Sequence, residues 1–178
     1  MSQGFADGAQ SAGPLRASPQ SVPAHPGSSS AAVSLRMSRA RRRDTAPEIA
    51  LRKLLHAQGL RYRVAYPVPG QRRRTIDIAF TRQKVAVFVD GCFWHGCPEH
   101  GTIPRANAEW WRQKLASNRA RDVDTNDMLR DHGWTVVRVW EHELPSNAAA
   151  GIRGRLSPTI EPRLSGQHSP RTNHPASD

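Results

Sequence analysis

The sequence predicts an α/β or α+β fold, in which helices flank one mixed sheet. A short run of apolar, mostly β-branched residues at positions 85–89 is typical of a strand buried on both faces. Helical periodicity lies on either side of this run along the chain, and a further strand pattern follows the second helix. The order helix, strands, helix, strand therefore indicates a sheet with helices packed on its faces.

The two ends of the chain differ in composition from its middle. Residues 1–34 and 146–178 are rich in Ser, Ala, Pro and Gly, with too few large apolar side chains to offset the entropy cost of ordering. We expect two disordered tails around a folded domain at residues 35–145. There is neither a signal peptide nor a stretch of about 18 apolar residues that could span a membrane. These features predict a cytoplasmic, nucleoid-associated protein with no membrane partner.

The chain is strongly basic. Lys and Arg number 26 against 15 Asp and Glu, which gives a net charge of +11. This excess favours a polyanion such as nucleic acid as the partner, although a basic solvated surface would have the same composition. The densest basic segment contains Arg39, Arg41, Arg42 and Arg43. It is either an arm that neutralises DNA phosphates or a solvated chain.

Thr45 marks the start of the first predicted helix. Its hydroxyl can cap the helix, Leu51 begins the apolar face, and Gly59 ends the pattern. Glu48 stands three residues after Thr45, as in a capping box. The residues alone therefore favour a capping role for Glu48.

Asp77 stands in the middle of a predicted strand at residues 75–80. Aspartate is unfavourable in the interior of a strand. It is therefore either a strand-end group in a turn network or a carboxylate that binds a metal, and its apolar neighbours favour the metal.

A long helix is predicted from about Asn107 to His132, before a last strand at residues 134–140. One face of this helix is apolar at its ends and polar in its middle. Its members are Trp111, Leu115, Asn118, Asp122, Thr125 and Leu129. The polar pair Asn118 and Asp122 lies either on the solvent rim of this face or in a site.

Cysteine and histidine cluster directly after the buried strand. Cys92, Cys97 and His100 are zinc-ligand types at close spacing, and His142 at the end of the last strand is the best fourth ligand. The alternative is a pair of buried free thiols with two surface histidines.

Asp77 and His95 form a second candidate pair. Asp77 lies in a predicted strand and His95 lies just beyond the next one, so a hairpin between the two strands could bring them together. Hydrolysis of a phosphodiester needs charge stabilisation, which Mg²⁺ on carboxylate and carbonyl oxygens provides, and a base, which histidine provides. The rings of Phe93, Trp94 and Trp111 nearby either belong to the core or stack on bases.

Together these segments resemble the very short patch repair (Vsr) DNA mismatch endonucleases. The resemblance spans residues 37–144 and rests most on the string Gly-Cys-Phe-Trp-His at residues 91–95, with support from residues 44–48, 118–122 and 134–141. It implies a restriction-endonuclease-like fold, Mg²⁺ in the cleavage site and a structural zinc. It also implies nicking 5′ of the thymine in a T·G mismatch, which arises when 5-methylcytosine deaminates.

The resemblance also implies roles for individual residues. Asp77 and the main-chain carbonyl of Val89 would bind Mg²⁺, and His95 would be the general base. Glu48 would act through metal-bound water, and Asp122 would lie near His95. The implied zinc ligands are Cys92, Cys97, His100 and His142, and the implied aromatic wedge at the mismatch is Phe93, Trp94 and Trp111.

Double-stranded DNA with a T·G mismatch is the expected partner, with mismatch-repair proteins as further candidates and a monomer as the expected state. Some family members carry histidine where Asp90 stands, so its role is open. A restriction-like endonuclease that needs no mismatch and an inactive zinc-stapled DNA-binding module are the alternatives. Asp77, His95 and Asp122 together argue against the inactive module.

Overall fold

The computed structural model describes residues 22–24, 26–27 and 43–156. Its helices are α1 (Ala46–Ala57), α2 (Cys92–His95), α3 (Ala108–Asp131) and α4 (Pro145–Leu156). Its strands are β1 (Arg63–Val68), β2 (Gln71–Phe80), β3 (Val85–Asp90) and β4 (Thr135–Trp140). None of these helices combines the length and the apolar character that a membrane crossing requires.

The strands form one four-stranded sheet in the order β1-β2-β3-β4. β2 pairs antiparallel with both β1 and β3, whereas β3 and β4 are parallel. The predicted mixed sheet flanked by helices is confirmed. Because β3 and β4 run in the same direction, the residues that follow Asp90 and Trp140 emerge at the same edge of the sheet.

The sheet is covered on both faces. On one face, Ile78 and Val87 pack with α1 and α4 in a core cluster that also holds Leu55. On the other face, Ala86 and Phe88 pack with Leu129 of α3 and with Trp134. The strand β3 is therefore buried on both sides, as its unbroken apolar run predicts.

The start of α1 shows how local sequence sets an element. The Thr45 hydroxyl accepts from the Glu48 N–H at 3.5 Å, and Glu48 Oε2 accepts from the Asp44 N–H at 3.0 Å. The capping role of Glu48 is confirmed. At the other end, Gly59 adopts a φ of +82°, a left-handed conformation that costs other residues more than glycine.

Helix α4 corrects the predicted domain boundary. Residues 146–156 are not a tail, because Ala148, Ala149 and Ile152 are 6%, 0% and 0% exposed and belong to the core. Small alanines let α4 approach α1 closely, but their low apolar content made the segment resemble a linker. A chain that ends near Asn147 would lose this buried face.

The rest of the two predicted tails falls mostly on residues 1–21, 25, 28–34 and 157–178, which lie outside the described residues, as do residues 35–42 of the predicted domain. Within the predicted N-terminal tail, Pro23 and Gly27 contact the start of α3. The Pro23 carbonyl accepts from Trp110 Nε1 at 2.8 Å, and the Gly27 carbonyl accepts from Asn107 Nδ2 at 2.9 Å.

Candidate active site and metal centre

Asp77 lies where β2 and β3 separate. The β2–β3 ladder stops at Ile78 opposite Val87, and in the gap beyond it Asp77 Oδ2 accepts from the Val89 N–H at 2.9 Å. In an extended strand the N–H and C=O of one residue point to the same side. The Val89 carbonyl therefore faces the same gap as the Asp77 carboxylate.

The environment of Asp77 is rich in negative charge. Burial is the largest of the effects that together raise the pKa of Asp77 to about 6. The Glu48 and Asp90 carboxylates add to this rise, and the Val89 hydrogen bond and the Arg138 charge oppose it. Glu48 is itself buried at 8% exposure. It therefore caps α1 and also places a second carboxylate near Asp77. Carboxylates crowded in this way are the hard oxygen ligands that Mg²⁺ prefers.

His95 is oriented by Asp122. Its Nδ1 lies 2.7 Å from Asp122 Oδ2, so a neutral ring that donates from Nδ1 keeps Nε2 as a proton acceptor. Burial alone lowers the pKa of His95, but the Asp122 hydrogen bond and the charges of Asp90 and Asp122 raise it overall. Burial raises the pKa of Asp122, and the His95 hydrogen bond and Arg138 charge lower it overall.

Asp90 and Arg138 form a buried ion pair beside these groups. Arg138 Nε and Nη2 lie 2.5 and 2.7 Å from the two Asp90 oxygens. Asp90 is only 4% exposed, so this paired cation offsets a charge that would otherwise be costly to bury. We call Asp77, Asp90, His95, Asp122 and Arg138 the carboxylate centre.

Cys92, Cys97, His100 and His142 meet at the edge where β3 and β4 end, and we call them the Cys/His cluster. One ligand atom from each lies within 4.8 Å of all the others. The shortest separation joins Cys92 Sγ and His142 Nδ1 at 3.1 Å, and Cys97 Sγ lies 3.8 Å from the same nitrogen. Four sulfur and nitrogen ligands at such separations fit a tetrahedral zinc site.

Backbone constraints keep the Cys/His cluster compact. A Cβ at Gly101 would stand 2.4 Å from the Cys97 carbonyl oxygen, so only glycine fits where the loop folds back over Cys97. Burial and then the neighbouring Cys97 raise the pKa of Cys92 to about 11. A bound divalent cation would instead favour the thiolate form.

The aromatic side chains form a cluster between α2 and α3. The Phe93 ring lies 5.1 Å from both the Trp94 and the Trp111 ring centroids. Trp111 is only 5% exposed, whereas Phe93 and Trp94 are half-buried. Asn118 Nδ2 donates to the Trp94 carbonyl at 3.0 Å. Phe93 and Trp94 are thus the accessible rings, and Trp111 supports them from behind.

The structure brings most of the predicted site residues together at one edge of the sheet. Arg43 is exposed, and its Nη2 donates to Thr75 Oγ1 at 3.4 Å. Arg39, Arg41 and Arg42 lie outside the described residues.

Arg138 and Glu141 are the site residues that sequence reasoning missed. Glu141 Oε1 accepts from the Cys92 N–H at 2.6 Å. The one available signal was an arginine inside the apolar last strand, where a charge needs a buried partner.

Comparison with known proteins agrees with this geometry. Residues 29–99 match the family described as DNA mismatch endonuclease Vsr. The type II nicking enzyme V.NaeI of Lentzea aerocolonigenes is 44% identical over 131 residues, covering 72% of this chain and 78% of its own. The type II nicking enzyme V.XorIIP of Xanthomonas oryzae is 38% identical, covering 71% and 90%.

The DNA mismatch endonuclease Vsr of Escherichia coli is 34% identical over 124 residues, covering 67% of this chain and 70% of its own. The resemblance carried by the motif strings therefore extends over most of the chain. This protein belongs to the Vsr family of DNA endonucleases.

Proposed function

We propose that this endonuclease nicks the thymine-containing strand 5′ of a T·G mismatch, and so begins repair of deaminated 5-methylcytosine. The observation that carries the proposal is the carboxylate centre. Asp77 and His95 both lie close to Asp90 and Arg138, and this proximity supports a metal-binding role for Asp77 and a base role for His95 in one site. The names of the relatives, two nicking enzymes and a mismatch endonuclease, support the same reading.

The Asp77 carboxylate and the Val89 carbonyl would hold Mg²⁺, with Glu48 within reach of its water. Burial first, and then the charges of Glu48 and Asp90, raise the pKa of Asp77 to about 6, and a bound cation would favour the ionised carboxylate. When bound, Mg²⁺ would stabilise charge on the phosphoryl group under attack. Zinc in the Cys/His cluster would be structural, because all four of its tetrahedral positions are filled by side chains.

The chain's own residues would move the proton. His95 Nε2 would accept it from the attacking water while the water oxygen bonds to phosphorus and the bond to the leaving sugar oxygen breaks. Asp122 would stabilise the imidazolium through its 2.7 Å contact with Nδ1, as a carboxylate does in a hydrolytic triad. A positioned base of this kind contributes about 10²–10⁴-fold to the rate.

Recognition of the mismatch would fall to the aromatic cluster. A mismatch is cheaper to unstack than a Watson–Crick pair, so an inserted ring finds it preferentially. Phe93 and Trp94 are accessible and directly follow Cys92. The Cys/His cluster and Glu141 would hold the backbone of Cys92 in place. Trp111 behind them prevents the rings from being pushed back into the protein.

The deciding experiment measures nicking of duplexes with T·G, T·A or C·G at one position within randomised flanking sequence, in Mg²⁺ and in EDTA. We expect nicks only in the T·G pool, only in the thymine strand, and only with Mg²⁺. Sequencing the nicked ends would reveal the preferred flanks. Equal cutting of paired duplexes would instead indicate a sequence-specific endonuclease, and binding without cutting would indicate an inactive module.

A further inference from the structure

Arg138 occupies a central position between three elements. In the parallel β3–β4 ladder it lies opposite Phe88, and its guanidinium carbon stands 5.1 Å from the Phe88 ring centroid. Asp90 is two residues further along β3, so its side chain shares the face of Phe88 and lies diagonal to Arg138. Strand register alone therefore directs the guanidinium toward the Asp90 carboxylate.

The guanidinium also reaches α3. Arg138 Nη2 lies 3.1 Å from Asp122 Oδ1, and Nη1 donates to Asn126 Oδ1 at 3.2 Å. Asp122 and Asn126 are one helical turn apart, so they meet one edge of the planar group together. With Asp90 on its other edge, the guanidinium is held from two sides and its plane is fixed.

Asp122 divides its oxygens between two partners. Oδ1 faces Arg138, and Oδ2 lies 2.7 Å from His95 Nδ1. His95 Nδ1 is also 3.6 Å from Asp90 Oδ1, so Asp90 is a rival acceptor for the same proton. Because Arg138 engages both Asp90 oxygens, His95 is left to its shorter contact with Asp122.

We propose that Arg138 is a positioning residue that fixes Asp122 and, through it, the ring of His95. The proposal rests on the proposed role of His95 as the general base. Lysine can keep the positive charge but presents a single ammonium group, which cannot engage Asp90, Asp122 and Asn126 in one plane. Arg138→Lys therefore separates the geometric role from the charge.

Single-turnover nicking and DNA affinity of Arg138→Lys should respond differently. We expect the nicking rate to fall by about tenfold to a hundredfold, the effect of a small displacement of a reacting group. The dissociation constant for uncut T·G duplex should stay within about twofold, because Arg138 contacts protein groups in this site.

Arg74→Lys is a matched control. Arg74 also joins a strand to α3, through Asp124 at 2.6 Å and Thr125 at 2.9 Å, and its side chain is 18% exposed against 24% for Arg138. The two variants should lose similar thermal stability, but Arg74→Lys should nick at the wild-type rate. Equal rate losses in the two variants would make Arg138 a merely structural residue.

The His95→Ala background isolates the route of the effect. If Arg138 acts through His95, Arg138→Lys should cause no further rate loss once His95 is absent. A full additional loss in that background would overturn the proposal. A loss below about tenfold for His95→Ala alone would instead refute the base role itself, so the two failures are distinguishable.

Asn126→Ala keeps the test decisive if Arg138→Lys folds poorly. It leaves every charge in place and frees one edge of the guanidinium. We expect a smaller rate loss that also disappears when His95 is alanine. Where the rate of Arg138→Lys cannot be measured, an unchanged rate for Asn126→Ala would by itself refute the positioning role.

Discussion

The Cys/His cluster and the carboxylate centre each take one side chain from the four-residue helix α2, Cys92 and His95 respectively. Each centre also crowds groups that repel one another when charged. In the Cys/His cluster, the close contacts run between the ligand atoms themselves. In the carboxylate centre, Arg138 supplies a positive charge to Asp90 and Asp122. We therefore expect the first centre to depend on a bound metal for its cohesion, whereas protein groups largely hold the second in place.

This difference separates folding from chemistry. A metal that binds only the folded chain contributes its binding free energy to folding. A carboxylate such as Asp77, whose hydrogen bond from the Val89 N–H an amide oxygen can also accept, can be changed with a small effect on folding and a large effect on the reaction.

The largest effect is expected for Cys92→Ser. Loss of a ligand should remove the zinc, which we expect at about one ion per chain by elemental analysis. The free energy of unfolding should fall by about 5 kcal/mol or more, a large loss that is typical when a structural metal site is removed. Zinc-free wild-type protein that is folded and active would show that the Cys/His cluster does not need a metal for folding.

Asp77→Asn should damage only the chemistry. The amide oxygen still accepts from the Val89 N–H, but the charge that would hold Mg²⁺ is gone. We expect nicking to fall by about 10³-fold or more, because a metal ion supplies several kcal/mol of charge stabilisation. Affinity for uncut T·G duplex and the unfolding midpoint should remain at their wild-type values. Asp124→Asn, a carboxylate on α3 outside the site, is the control and should nick normally.

Ile152→Ala gives the scale for a purely apolar loss. Ile152 is 0% exposed in the core between α4 and the sheet, so its truncation should cost about 2–5 kcal/mol of stability. Leu144→Ala, at a position 65% exposed, should cost little. Denaturant unfolding of both variants would measure this, and a neutral Ile152→Ala would mean that α4 is not part of the folded domain.

Trp94→Ala has the smallest expected effect. Trp94 lies on α2 between Cys92 of the Cys/His cluster and His95 of the carboxylate centre. We expect weaker binding to T·G duplex by about 1–3 kcal/mol, the worth of one base–aromatic stack, with a smaller loss on paired duplex. Charge removal at Arg41 and Arg42 should weaken both duplexes alike and flatten the salt dependence. Titrations at two salt concentrations test both. Equal losses on the two duplexes for Trp94→Ala would assign that ring to the core.

Much of the fold could be predicted because its signals are local. The cap at Thr45, the buried run of β3 and the polar middle of the α3 face each depend on residues a few positions apart. The Cys/His cluster could also be predicted, because three of its ligands lie within nine residues of each other and the fourth closely follows a strand. Helix α4 was missed because its buried face consists of small residues around Ile152, whose weak apolar signal resembles that of a linker.

The chemical groups of the site can be read from the sequence: the string at residues 91–95, the carboxylates Asp77 and Asp122, and the metal-ligand types. Which of these groups contact one another follows from the tertiary fold. Strand register set Arg138 beside Asp90, and the separation of β2 from β3 opened the gap at Asp77. These two contacts span 48 and 12 residues of chain, and no local spacing encodes them because they arise from the packing of the whole sheet.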